Sequence, residues 1–140
     1  MDAPPLEDDV GDTFANFTFP LLLNALTNIL DNSFYWLDVK SENDPEDGWR
    51  GKIFIDVDTD RHGNPRLLIA DNGPGFKDTP EELTQAFFTR RPSGIGLGLY
   101  FVKLAMEVNE GFLDFPSIEE TDLPAEATGA IVALVFGEEQ

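Results

Sequence analysis

Two glycine-rich segments constrain this chain more than any other feature. LIADNGPGF (Leu68–Phe76) ends an apolar run of strand type, and GIGLGLYFVK (Gly94–Lys103) leads straight into a stretch of helical spacing. Glycine lets the backbone approach a neighbour or ligand closely and adopt conformations closed to other residues. Both segments therefore read as places where backbone, rather than side chain, meets a ligand at the end of a regular element.

The elements around them follow from apolar spacing. From about Phe19 to Leu37, residues Leu22, Leu23, Ala25, Leu26, Ile29, Leu30 and Phe34 recur at three- and four-residue steps, which predicts a helix with one buried face. Lys52–Asp58 alternates in strand fashion with Ile53, Ile55 and Val57 on one face. DRHGNP forms a turn, and Arg66–Ala70 is a second strand paired with the first as a hairpin. Pro80–Phe88 suits a short helix with Thr79 as N-cap and Pro80 at its first position. Leu97–Val108 is helical in spacing, and Phe112–Phe115 and Ala130–Phe136 are two more strands. This order lacks the regular alternation of a doubly wound sheet. It predicts an α+β fold, a two-layer α/β sandwich with a mixed β-sheet and helices on one face. Residues 1–13 are Pro- and Asp-rich and read as a flexible acidic lead-in, SENDPEDG (Ser41–Gly48) as an acidic loop, and 14–140 as one domain.

Charge narrows the partners. The 140 residues carry 27 Asp and Glu against 9 Lys and Arg, a formal net of −18. Such a chain is repelled by nucleic-acid phosphates and anionic lipid, so direct nucleic-acid binding and membrane contact are not expected. Apolar runs fall short of the ~20 residues needed to span a bilayer, and the N-terminal sequence lacks the order of a signal peptide. A cytoplasmic location is expected, and the absence of cysteine excludes thiolate chemistry. Four of the nine basic residues, Lys77, Arg90, Arg91 and Lys103, fall in one central window, which marks where an anion would bind.

Three constellations lie around that window. Asn28 and Asn32 stand one helical turn apart on the first helix, where carboxamides can hold a metal or polar ligand, or serve only as solvent-facing groups. Asp71 follows an apolar strand and is flanked by Gly73 and Gly75. Its carboxylate can accept from an exocyclic amine such as that of adenine, although Asp-Asn-Gly-Pro-Gly also makes an Asx-type turn without a ligand. Gly94, Gly96 and Gly98 open a helix whose free amides suit phosphate oxygens. No GxxxxGK[ST] occurs, and the glycine spacing lacks the strand and acidic residue of a dinucleotide fingerprint. DVDTDRHGNPRL from Asp56 fails as a calcium loop, with Arg61 where glycine is needed and Leu67 where glutamate is needed.

In this order the segments resemble the ATP-binding domain of the GHKL superfamily, the Bergerat fold shared by histidine kinases, type II topoisomerases, mismatch-repair ATPases and heat-shock chaperone ATPases. Asn28 and Asn32 resemble the N box, DNGPGF the G1 box, GIGLGLYFVK the G2 box, and Phe87 with Phe88 the F box of the histidine-kinase lid. The resemblance covers about residues 20–136. It implies that Asn32 coordinates Mg²⁺ on the phosphates of ATP and that Asn28 lines the same region. It also implies that Asp71 accepts from the adenine amino group, with Gly73 and Gly75 shaping its pocket. Gly94, Gly96, Leu97 and Gly98 would cradle the phosphates, and residues 77–93, with Phe87 and Arg91, would form a short lid.

Departures from the family pattern point to the histidine-kinase branch. The hydrolytic branches carry Glu at the position of Asn28, as general base for water, and a carboxamide cannot take that proton. Histidine kinases often carry Lys three residues after the metal-binding Asn, where this chain has Tyr35, so Arg91 or Lys77 is the candidate substitute. No phosphoacceptor motif is present, and the one histidine, His62, falls in the hairpin turn. The expected function is the Mg·ATP-binding catalytic domain of a histidine-kinase-like protein, its acceptor histidine supplied by another domain, such as a parent-chain dimerisation domain, or by another chain. A nucleotide-gated interaction module and a slow GHKL ATPase are the alternatives.

Overall fold

The computed structural model describes residues 19–43, 47–92 and 94–139. The expected lead-in at 1–13 lies outside them, as does the middle of the acidic loop at 44–46. Helix α1 spans Phe19–Asn43, six residues beyond the expected end. Strands β1 (Ile53–Thr59) and β2 (Pro65–Asp71) form the hairpin, with Ile53 opposite Asp71 and Thr59 opposite Pro65. At its tip, the Asp60 carboxylate accepts from the backbone amides of His62 and Asn64, each at 2.9 Å. Slight burial raises the pKa of that carboxyl, and these hydrogen bonds outweigh it, leaving it below the usual carboxylate range. A one-turn helix α2 (Pro80–Leu83), helix α3 (Gly98–Val108), β3 (Phe112–Asp114), a 3₁₀ turn (Ile118–Glu120) and β4 (Ile131–Val135) follow.

The sheet order is β1-β2-β4-β3. The sandwich architecture holds, but every ladder among the described strands is antiparallel, so the expected mixed pairing is corrected. β2 and β3 do run parallel, joined through α2 and α3. β4 inserts between them and pairs antiparallel with each.

Side-chain alternation divides the core in two. Ile69 of β2 and Val132 and Leu134 of β4 face Ala25 and Ile29 of α1 and Val102 and Met106 of α3. Leu68, Ala70, Ala133 and Val135 face the other way, against Leu123 and Ala127 of the segment that precedes β4. That segment gives the sheet a second covered face, which explains the uninterrupted apolar run AIVALVF. Arg66 lies buried on this second face. It pairs with Asp58 (Nε to Oδ1 2.6 Å) and donates to the carbonyl of Glu120 at 2.7 Å, which ties the 3₁₀ turn to the sheet. The Asp58 hydrogen bond holds the guanidinium pKa above its ordinary value.

One expected face is rotated, and another is left partly uncovered. The buried stripe of α1 is Ala25, Ile29, Ser33 and Leu37, while Leu23 and Phe34 are exposed. In β1, Ile53 packs on the core but Ile55 and Val57 are exposed, because α1 does not reach over this edge strand. Asp58 instead turns to the second face to meet Arg66.

Candidate functional site

A cleft of about 940 Å³ opens between α1, the loop after β2, and the segment from Phe88 to Leu99. Asn28 and Asn32 line one wall from α1, where the four-residue step sets both on the flank of the buried Ala25–Ile29–Ser33 stripe. Gly94, Gly96, Leu97 and Gly98 line the opposite wall. Leu97, the N-cap of α3, makes no side-chain capping bond, so among the described residues the first amides of α3 are left for an outside acceptor. A Cβ at Gly98 would stand 3.5 Å from Asn28 Oδ1, which measures how closely the two walls approach.

Asp71 lies deeper. It is 2% exposed and lines a hole of about 30 Å³, bounded also by Ile29, Asn32, Gly75 and Leu99 and sharing Asn32 and Gly75 with the large cleft. Four hydrogen bonds to backbone groups fix it. Its amide donates to the Ala130 carbonyl at 3.0 Å and its carbonyl accepts from Gly129 at 2.8 Å. Its Oδ1 accepts from the amides of Gly73 at 2.9 Å and Ala130 at 3.1 Å. Both side-chain bonds fall on Oδ1, and Oδ2 accepts none among the described residues. The expected Asx-type turn is thus present, and one carboxylate oxygen remains for a donor beside the hole.

Gly73 is buried behind this carboxylate and lines neither cavity, whereas Gly75, with φ of +81°, forms the lip between them. Gly129 was not legible as a site residue. A Cβ there would lie 2.6 Å from the Gly73 amide nitrogen and 2.8 Å from the Asp71 carbonyl oxygen, closer than any side chain tolerates. The signal for it was Thr-Gly immediately before the most apolar strand, next to β2.

The lid segment begins with a capping box, in which Thr79 Oγ1 accepts from the Glu82 amide at 3.2 Å and the Glu82 side chain accepts in turn from the Thr79 amide. Only one helical turn forms, shorter than the expected Pro80–Phe88. Beyond it, Phe87 sits at φ 68° and is 73% exposed, and its amide donates to the Gly96 carbonyl at 2.8 Å. Phe88 lines the cleft and Phe87 does not. Gly96, at φ +83°, leaves no room for a Cβ, which would come within 2.7 Å of the Phe88 amide nitrogen. The two expected boxes are thus stapled together at the mouth of the cleft.

Most of the basic window is already engaged. Arg90 makes a two-bond pair with Asp78, both at 2.6 Å, and that guanidinium holds the Asp78 carboxyl below its ordinary value. Arg91 reaches across to α1, where Nη1 lies 2.7 Å from Asp31 Oδ2 and 3.5 Å from Asn32 Oδ1, with the guanidinium 4.3 Å above the Tyr35 ring. Lys77 lines the cleft, whereas Lys103 pairs with Glu107 on α3 and does not. His62 stays in the exposed hairpin tip.

An α+β sandwich whose first long helix and a glycine-opened second helix face each other across such a cleft defines the ATP-binding fold class of the histidine kinases. A family model for the "Histidine kinase-, DNA gyrase B-, and HSP90-like ATPase" matches residues 16–138, and the chain belongs to this family. It is 35% identical over 124 residues to the nitrogen regulation protein NtrY of Azorhizobium caulinodans, covering 87% of this chain and 15% of that protein. It is 34% identical over 73 residues to the sensor protein kinase PilS of Pseudomonas aeruginosa, covering 51% of this chain and 14% of that protein. The chain thus spans a small part of the length of either relative. A solved structure of the mycobacterial sensor histidine kinase MprB superposes with a TM-score of 0.59 at 26% identity, covering 86% of this chain and 75% of that one. Among the described residues, no helix is long and apolar enough to cross a membrane.

Proposed function

We propose that this domain binds Mg·ATP in the cleft and presents the γ-phosphate to a histidine carried by another domain or chain. One observation carries the reading. The two carboxamides of α1 face the glycine-opened N-terminus of α3 across a single cleft, and that cleft adjoins a fixed, buried carboxylate with one oxygen that accepts no bond among the described residues. Asp71 would accept from the adenine amino group through Oδ2, held by the amides of Gly73 and Ala130. The glycines of 94–98 and the amide of Leu97 would take the phosphate oxygens.

The donor set suits a magnesium ion that arrives with the nucleotide. No group of three or more His, Cys, Asp or Glu able to hold a metal exists among the described residues, and Asn32 offers one neutral oxygen beside the cleft. Magnesium is commonly held by one or two protein oxygens together with substrate phosphates and water. Asn32 would hold it, and the ion would offset phosphate charge when bound. Asn28 donates its Nδ2 to the Asn24 carbonyl at 3.0 Å and offers no base for water. This favours transfer to an acceptor over hydrolysis.

The test is calorimetric titration of Mg·ADP and a non-hydrolysable ATP analogue into the chain, followed by phosphotransfer from ATP to a separately supplied acceptor domain. Asp71→Asn keeps an acceptor oxygen for the backbone amides but loses the carboxylate, so binding should fall by about tenfold or more with the fold retained. Asn32→Ala should remove most of the magnesium dependence. Nucleotide affinity unchanged in Asp71→Asn would remove the adenine assignment. Tight binding with no transfer to any cognate acceptor would leave a nucleotide-gated interaction module.

A further inference from the structure

A second groove, of about 350 Å³, lies at the root of the lid, and Phe76, Asp78 and Leu83 line both it and the large cleft. Its far wall comes from the segment that crosses the second face of the sheet, with Phe115 and Ile118 half-buried along it. The Phe76 and Phe115 rings meet edge to face, 5.3 Å between centres. The lining is mainly apolar. Its one charged side chain, Asp78, is already paired with Arg90, and Ser117 makes no side-chain capping bond to the 3₁₀ turn it precedes. The sequence on both sides is acidic. Residues 114–131 hold Asp114, Glu119, Glu120, Asp122 and Glu126 with no lysine or arginine, and the lid root adds Glu81 and Glu82, all of them exposed. The neighbouring cations are committed: Arg90 to Asp78, Lys52 to Glu126, and Arg66 to Asp58 and the Glu120 carbonyl. Among the described residues, Glu81, Glu119, Glu120 and Asp122 form no ion pair.

We propose that this groove docks a basic segment of a partner protein, which seats a bulky apolar side chain against Phe115 and Ile118 and sets its lysines or arginines among the acids of 81–82 and 119–122. An apolar centre ringed by charge is how protein interfaces are commonly built, and a ring of one sign selects the opposite sign. A second copy of this chain is disfavoured, because at a net charge of −18 its own acids would meet these. A small apolar ligand would leave the carboxylates unused. The seated side chain would also bear on the main cleft. It would touch Leu83 and Asp78 at the lid root, and Thr128 and Gly129, where the Gly129 amide donates to the Asp71 carbonyl at 2.8 Å. A lid with a single helical turn, steadied at its root by a partner, has less freedom to lose when a nucleotide arrives, so the two ligands should favour each other. The docking stands apart from what fills the main cleft, whereas this coupling rests on reading it as a nucleotide site.

The probes are short capped peptides with a central tryptophan, phenylalanine or leucine between lysines. One control carries glutamate in place of lysine, and another carries alanine at the centre. Each is titrated into the isotope-labelled chain and followed by amide chemical shifts, with and without Mg·ADP, beside Ser117→Arg and Glu119→Lys/Glu120→Lys, with thermal melts to verify folding. A basic peptide with an apolar centre should shift the amides of 115–119 and 127–129 and bind about tenfold tighter than either control. Ser117→Arg puts a cation in the groove, and the double variant reverses its rim. Each should weaken that peptide by about tenfold and leave Mg·ADP affinity without peptide within about twofold. Saturating peptide should tighten Mg·ADP by about threefold. No binding by any basic peptide, equal binding of the glutamate control, or indifference to Ser117→Arg would each overturn the docking. Self-association of the chain that Ser117→Arg abolishes would overturn it in favour of a second copy. Mg·ADP affinity unmoved by saturating peptide would overturn the coupling alone. A chain that binds peptide but no nucleotide would overturn the proposed function and the coupling, and would uphold the docking.

Discussion

At the deep end of the cleft, Asp71 is held by four hydrogen bonds to backbone groups of Gly73, Gly129 and Ala130 and is almost wholly buried. At the outer end, Arg90 and Arg91 are held by carboxylate pairs, and both arginines belong to a segment with one helical turn. The first arrangement cannot shift without breaking the junction of β2 with β4. At the second, Arg91 can exchange one anion for another at small cost, since its partner Asp31 is exposed and such ion pairs contribute little. In the proposed nucleotide site, one end would fix the identity of a base and the other would leave its charge-neutralising groups free to rearrange.

The sharpest way to break the contrast is at Gly129. Gly129→Ala drives a Cβ into the Gly73 amide and the Asp71 carbonyl, so nucleotide affinity should fall about a hundredfold. Overpacking of this order should also cost about 1–3 kcal/mol of stability. Calorimetry and urea denaturation measure the two effects, and an unchanged affinity would show that the deep end is not rigid.

A smaller effect is expected at Asp78. Its carboxyl is held below the ordinary value chiefly by the Arg90 hydrogen bond, so the pair contributes fully above that ordinary value and is lost as pH falls through the lowered one. Hydrogen-exchange protection of residues 84–92 should therefore drop on acidification through that range while protection of β2 and β4 persists. Asp78→Asn should produce the same local loss at neutral pH. Equal loss in the lid and the strands would erase the distinction between the two ends.

The smallest effect is expected at Phe87, a non-glycine residue with φ of 68° that is largely exposed. Phe87→Gly relieves the left-handed backbone and should raise stability by about 0.5–1 kcal/mol in a urea melt. A clear loss of stability would mean that the ring packs more than its exposure indicates.

What the sequence revealed of this site followed from local chemistry. Thr79, Pro80 and Glu82 carry a capping box in four residues, and the alternation of β1 and the helical spacing of α1 and α3 depend only on near neighbours. Asn28 and Asn32 could be placed on one face for the same reason. What remained hidden depends on contacts between distant segments. Gly129 matters because it meets Asp71 across the β2–β4 junction, and Asp31 because a lid arginine reaches it. Ile53, Ile55 and Val57 share a face as expected, yet Ile55 and Val57 are exposed, because alternation fixes which residues share a face but not whether a helix covers it. The direction of each ladder was hidden in the same way, since only the insertion of β4 decides it.

β4 is the last of the described strands along the chain, yet it lies inside the sheet, between β2 and β3. During synthesis, β1 and β2 can close as a hairpin as soon as they emerge, whereas the β2–β4 ladder must join segments about sixty residues apart, a slower closure. Gly129, whose amide donates to the Asp71 carbonyl, and Ala130, whose amide donates to its carboxylate, arrive with that final ladder. A nascent chain therefore has its asparagines and glycine loops long before the Asp71 carboxylate of the proposed base pocket is fixed. In the proposed nucleotide site, ligand capture would report that the sheet is finished, and nucleotide in the surrounding solution would pull the last folding step forward by mass action.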